Sequence, residues 1–118
     1  MRTFPHVSLR LSLAPETLLG SGKAALLQGI AETGSISAAS RAMGMSYKRA
    51  WYLIDTLNST FAEPLVVSVK GGRTGGGASL TDTGRTVLQL YRSLEDKMRA
   101  AALDELKELA ALAAPPKV

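Results

Sequence analysis

Residues 35–58 read SISAASRAMGMSYKRAWYLIDTLN, two short helical segments broken by a single glycine, Gly44. Ser35 or Ser37 caps the first segment, because a hydroxyl oxygen accepts from the free amides of an opening turn; Ile36, Ala39, Ala42 and Met43 give it an apolar side. Gly44 ends it, as a residue able to turn left-handed after a helix terminus; Met45 plugs the turn and Ser46 caps the next helix. There Ala50, Trp51, Ile54, Leu57 and Phe61 follow steps of three and four, leaving Tyr47, Lys48, Arg49, Tyr52 and Asp55 off the stripe. Two short helices about a tight glycine turn, with a small residue such as Ala39 at their crossing, are the signature of a helix-turn-helix.

The flanks agree with that centre. Residues 6–13, HVSLRLSL, alternate apolar Val7, Leu9, Leu11 and Leu13 with polar Ser8, Arg10 and Ser12, the period of a half-buried strand. Pro15, Gly20 and Gly22 then punctuate a turn. A first helix is predicted over residues 23–32, where Ala24, Leu27, Ile30 and Ala31 recur at helical spacing before Thr33 and Gly34 stop it. Beyond the helix pair, Pro64 opens an extended segment, LVVSV, followed by KGGRTGGGAS and a second short strand near residues 78–80. Five glycines within 71–77 suit neither helix nor regular strand, which predicts a hairpin with a long tip.

Thr81 is placed to cap a long helix running to about residue 114, ended by Pro115 and Pro116. Along it Val87, Tyr91, Leu94, Met98, Ala102, Leu106, Leu109 and Ala113 form one stripe. At about 1.5 Å per residue such a helix is roughly 50 Å long, more than a small core needs, so its distal half is expected to pack on something else. The fold expected is mainly α with a small β-hairpin, a winged helix-turn-helix. Residues 1–85 form its DNA-binding domain, 86–114 the long C-terminal helix and 115–118 a tail.

Charge points the same way. The net charge is +4, from 14 Lys and Arg against 10 Asp and Glu, and it is unevenly spread. Residues 33–85 hold six bases (Arg41, Lys48, Arg49, Lys70, Arg73, Arg85) against three acids (Asp55, Glu63, Asp82), whereas residues 86–118 balance at five and five. A basic middle suits a polyanion and a balanced end suits a protein partner, although six bases also serve as a merely solvated surface. At 118 residues one domain is expected, with no room for a second sensor domain. Without Cys, and with His6 as the lone His, it offers no disulfide framework and no zinc site of the usual kind. No apolar run spans a bilayer and no secretory signal is apparent, so the expected compartment is the cytoplasm, with no membrane partner.

A helix-turn-helix presents its second helix to the major groove of double-stranded DNA. Ser46, Tyr47, Lys48 and Arg49, with Trp51 and Tyr52 one turn on, are the candidates to face base edges and flanking phosphates. The Trp51 ring, being on the apolar stripe, is expected mainly between helices. Amides at the start of the preceding helix, at Ser35 and Ser37, meet phosphate through the helix dipole, with Arg41 nearby. The glycine-rich hairpin, carrying Lys70, Gly72, Arg73 and Thr74, reads as a wing that reaches backbone or minor groove. The plainer alternatives are an ordinary helical hairpin and a passive turn. GGRTGGG lacks the Gly-Lys-Ser/Thr ending of a phosphate-cradling P-loop and leads into a strand. Asp55, Glu63 and Asp82 are too scattered for acid/base work, and Ser46 has no neighbouring base, so no enzyme is expected.

The phrases LLQGIAETGSISAASRAMGMSYKRAW and GGRTGGGASLTDTG, with a strand before the first helix, resemble the N-terminal DNA-binding domain of ModE-type molybdate-responsive regulators. That domain is itself similar to the DNA-binding half of LysR-type regulators. The resemblance covers nearly the whole chain. It implies a homodimer with Ser46, Tyr47, Lys48 and Trp51 on the recognition helix and residues 70–77 in the wing. It also implies a dimerisation helix over 86–113, through Val87, Tyr91, Leu94, Met98, Leu106 and Leu109. The function implied is that of a bacterial transcriptional regulator, a repressor or dual regulator, of molybdenum transport or molybdenum-enzyme genes, on a pseudo-palindromic site. Full-length members carry C-terminal modules that bind molybdate. This sequence ends at Val118, just after the long helix, so molybdate sensing is not carried over and no cofactor is expected. The competing class is a protein-interaction adaptor, or an architectural protein that binds DNA without sequence preference.

Overall fold

In the computed structural model, residues 4–69 and 77–115 are described. Their elements run β1 (Leu11–Ala14), β2 (Thr17–Leu19), α1 (Ser21–Thr33), α2 (Ile36–Ala42), α3 (Tyr47–Thr60), β3 (Val66–Val69), β4 (Gly77–Leu80) and α4 (Asp82–Leu112). The core is one cluster. Leu26, Leu27 and Ile30 of α1, Ile36 and Ala39 of α2, Ala50, Ile54 and Leu57 of α3, and Leu65, Leu80 and Tyr91 are all removed from water. Helices α1 and α2 approach closely, since a Cβ on Gly29 would stand 3.0 Å from the Cβ of Ala39. The expectation of a small residue at a helix crossing is thus met, although the crossing partner at Ala39 is α1.

β3 and β4 pair antiparallel, Val66 opposite Leu80 and Val69 opposite Gly77. This hairpin is joined to the helices through its base. The Asn58 side chain, near the end of α3, accepts from the amides of Leu65 (2.8 Å) and Val66 (3.1 Å) and donates to the Val66 carbonyl (3.1 Å). From the other side the Thr81 amide donates to the Leu65 carbonyl (2.9 Å) and its hydroxyl to that of Pro64 (2.7 Å). The same hydroxyl caps α4, accepting from the Gly84 amide at 2.9 Å. Gly84 must be glycine on steric grounds: a Cβ there would lie 2.1 Å from the Leu65 carbonyl oxygen, inside any tolerable contact.

The N-terminal segment departs from the single strand expected over residues 6–13. The ladder begins only at Leu11, and β1 folds back on β2 as a second hairpin, Leu11 opposite Leu19 and Ser12 opposite Leu18. Leu13 is exposed, while Leu9 and Leu11 pack on the core. Residues 6–10 are held instead by α4, where the buried Tyr91 hydroxyl donates to the Leu9 carbonyl at 2.5 Å. Burial pushes the Tyr91 phenol above its ordinary pKa; the Glu95 charge adds to the shift, and Arg92 and Arg99 oppose it.

α4 begins where expected and crosses residues 85 and 86 without a break, Gly84, Leu88, Tyr91 and Glu95 being buried along its first half. Leu94 is exposed on the outer side of that half, and beyond it the helix runs free of the core, with Leu103, Leu109 and Leu112 exposed. Among the described residues no helix is long and apolar enough to cross a membrane.

Gly84→Ala is expected to lower unfolding free energy by roughly 2 to 4 kcal/mol, because the Leu65 backbone has to move to admit a methyl group. Gly22→Ala, where nothing lies within 4 Å of the new Cβ, is the control and is expected to gain up to about 0.5 kcal/mol. Urea denaturation of both variants checks the contrast; equal stabilities would contradict it.

Candidate nucleic-acid interface

The helix pair is built by hydrogen bonds that its serines supply. Ser35 occupies the N-cap of α2, its hydroxyl accepting from the Ala38 amide at 3.0 Å. Ser37 takes a different part: its hydroxyl accepts from Arg41 Nη1 at 2.8 Å, so the two candidates form one exposed polar pair one turn apart. Ser40, buried, donates to the Ser37 carbonyl at 2.8 Å.

Gly44 takes a φ of 66°, in the left-handed region where a side chain is strained, and its amide donates to the Arg41 carbonyl at 3.1 Å. The Met45 amide then donates to the Ser40 carbonyl at 3.0 Å, and the Met45 side chain packs on the core as a plug. Ser46 caps α3 by accepting from the Arg49 amide at 3.0 Å.

Packing sorts the residues of α3. Ala50, Leu53, Ile54 and Leu57 face inward, and Trp51 and Phe61 are half-buried against the same core. Ser46, Tyr47, Lys48, Arg49 and Tyr52 face out, with Tyr47 and Tyr52 more than half exposed. Tyr47 and Trp51 meet edge to face, ring centroids 6.3 Å apart, and the Arg49 guanidinium sits 5.3 Å from the Tyr52 ring centroid. Ser46, Lys48, Arg49 and Tyr52 line one shallow hollow. The outward end of α3 therefore presents two aromatic faces, hydroxyl groups and two cations on a rigid, capped helix, a surface made for hydrogen bonding and ionic contact.

Two further cations belong to this region and are not singled out by any motif, Arg10 before β1 and Lys23 in the first turn of α1. The pKa of Lys23 is lowered from the ordinary lysine value by burial first, then by the charges of Arg10 and Arg49. Twelve residues separate Arg10 from Lys23 in sequence, and only the fold of the N-terminal segment brings their charges together.

The wing candidates Lys70, Gly72, Arg73 and Thr74 lie outside the described residues; β3 and β4, which carry that segment, are in place. On α4, Tyr91 turns into the core of its own chain, and Val87, Met98 and Leu106 are half-buried, while Leu94 and Leu109 are exposed. Among the described residues no group of three or more His, Cys, Asp or Glu side chains is arranged to hold a metal ion.

Residues 23–85 match the bacterial regulatory helix-turn-helix protein, lysR family. The chain is 46% identical over 101 residues to the molybdenum transport protein ModE of Azotobacter vinelandii, covering 84% of this chain and 37% of that protein. It is 39% identical over 94 residues to the molybdenum-pterin-binding protein MopA of Rhodobacter capsulatus, covering 80% and 36%. To the DNA-binding transcriptional dual regulator ModE of Escherichia coli (strain K12) it is 37% identical over 103 residues, covering 87% and 39%. The chain thus spans less than two fifths of the length of each of these relatives. With two capped helices about Gly44 inside the matched residues, it belongs to the lysR family of bacterial regulatory helix-turn-helix proteins.

Proposed function

We propose that this chain is a DNA-binding transcriptional regulator which reads a pseudo-palindromic site as a homodimer. The observation that carries this reading is the outer face of α3: Tyr47, Lys48, Arg49 and Tyr52 project to solvent from a helix whose start is fixed by the Ser46 cap. A helix held this way enters the major groove with its N-terminal residues against base edges. Lys48 is suited to guanine O6 and N7, Arg49 to a flanking phosphate, and Tyr47 and Tyr52 to phosphate or thymine methyl groups. Trp51 acts from behind, its ring setting the angle of Tyr47. Ser35, Ser37 and Arg41 meet an adjacent phosphate, and Lys70, Gly72, Arg73 and Thr74 act as the wing.

The dimer face we propose is the free part of α4, Leu94, Met98, Leu106 and Leu109, with Val87 at its near end; Tyr91 serves its own chain's core. Leucines left exposed along one helix suit a second copy of that helix, and a two-fold axis between copies requires inverted half-sites. The names of the relatives support a molybdenum-related role and dual regulation of transcription; action as a repressor and a cytoplasmic location belong to the same proposal. The proposed action is binding rather than catalysis, with no cofactor needed for it.

Selection of bound duplexes from a random DNA pool is expected to enrich an inverted repeat. Folded protein that enriches nothing would favour the adaptor or architectural reading. On the selected site, Lys48→Ala is expected to remove roughly 1 to 3 kcal/mol of specific binding and to relax preference at one base pair, whereas Arg73→Ala weakens all sequences alike and reduces the salt slope by about 1. Identical, sequence-independent effects of both, read by fluorescence anisotropy, would deny Lys48 a base-reading part. Leu109→Asp is expected to shift sedimentation from dimer to monomer at micromolar concentration, with circular dichroism unchanged; a persisting dimer would place the interface elsewhere.

A further inference from the structure

The N-terminal hairpin carries charge into the neighbourhood of the recognition helix. Arg10 lies across the beginning of α1, where a Cβ on Gly20 would stand 3.8 Å from its Cγ. One turn along, half-buried Lys23 is held in place by its own hydrogen bond, Nζ donating to the Leu18 carbonyl of β2 at 3.1 Å. α1 packs on α3, and from the first turn of α3 Arg49 completes the group. Arg10 and Arg49 are the two charges that bear on Lys23, and both repel it. Among the described residues the ion pairs join Arg85, Arg92 and Arg99 to Asp82, Glu95 and Asp96, so the three crowded cations have no carboxylate partner there.

Like charges gathered from three elements oppose the folded state unless an anion neutralises them together. A simple solvated surface places cations apart, on mobile stems; here one ammonium is anchored to a backbone carbonyl and one guanidinium is held over an aromatic ring. The first turn of α1 adds to the field, with Gly20 at its N-cap giving no side-chain hydrogen bond and no acidic residue following.

We propose that Arg10, Lys23 and Arg49 form a second phosphate-binding patch beside the recognition helix, which grips the DNA backbone next to the groove that α3 enters. The guanidinium groups take phosphate oxygens in bidentate fashion and the anchored ammonium acts as a point charge. Contacts of this kind set register and affinity without reading sequence. The inference rests on the DNA-binding reading, and it extends the interface to the segment before β1 and the first turn of α1, outside the helix-turn-helix itself.

The test is the salt dependence of binding to the selected duplex and to a scrambled duplex, for the full chain and for Arg10→Gln/Lys23→Gln. Glutamine keeps a donor for the Leu18 carbonyl while removing the charge. The slope of log affinity against log salt is expected to fall by about 0.9 per lost contact, near 1.8 per protomer, and both duplexes are expected to lose affinity by the same factor, roughly tenfold or more at low salt. Lys107→Gln, an exposed charge on α4, is the control and leaves the slope unchanged. An unchanged slope in the double variant overturns the patch while leaving the DNA-binding reading intact. Affinity lost with the slope unchanged marks a structural effect and overturns it equally. If the unsubstituted protein binds neither duplex, the DNA-binding reading itself fails and the patch falls with it. Should the double variant not fold by circular dichroism, Arg10→Gln alone decides, through a slope change of about 0.9 per protomer.

Discussion

Leu65 is the point on which the arrangement turns. Its amide is taken by Asn58 and its carbonyl by the Thr81 amide, and the backbone of Gly84 presses against that same carbonyl. Three elements meet there: the end of α3, the base of the β3–β4 hairpin and the beginning of α4. None of them is free to rotate without breaking a buried hydrogen bond, each worth about 1 kcal/mol net and more when a partner is left unsatisfied. Helix α3 is thus oriented from its rear, by the Asn58 side chain on the hairpin backbone, while its front is set by the Ser46 cap. Its solvent face is left for other duties.

Much of this was legible from local pattern. Gly44, Ser46, Ser35 and Thr81 are capping and turn residues whose chemistry acts within four positions, and the structure uses each as its type predicts. What needed a distant partner was not legible. Thr17–Leu19 is too short to display a period of two, so local pattern shows only the turn there and not the second strand of the first hairpin. Leu53 fits the same face as Ala50 and Leu57, yet the three- and four-residue count passed over it in favour of the bulkier Trp51, which proves half-buried. Arg10 and Lys23 look like ordinary solvated charges until the fold brings them against Arg49.

The stripe along α4 shows the limit most clearly, because periodicity says which residues share a face and not what covers them. Residues at the same helical spacing meet different fates: Tyr91 is covered by the chain's own N-terminal segment, whereas Leu109 is open. Glu95 marks the change between these regimes. It is buried, and its carboxylate is shared between Arg92 at 2.8 Å and Arg99 at 3.4 Å, so the buried carboxylate is paired on both sides. A charged residue on the inner side interrupts the apolar run where the core ends.

The Tyr91–Leu9 hydrogen bond joins residues 82 apart in a chain of 118, and so closes all three helices of the core and the β3–β4 hairpin into one loop. A closure of that length carries a large loop entropy and is made favourable only after the helices between have assembled. Seating of the N-terminal arm thus presupposes that the helices between are in place. The same seating covers the inner face of α4 and sets Arg10 beside α1, so one bond ties two surfaces together.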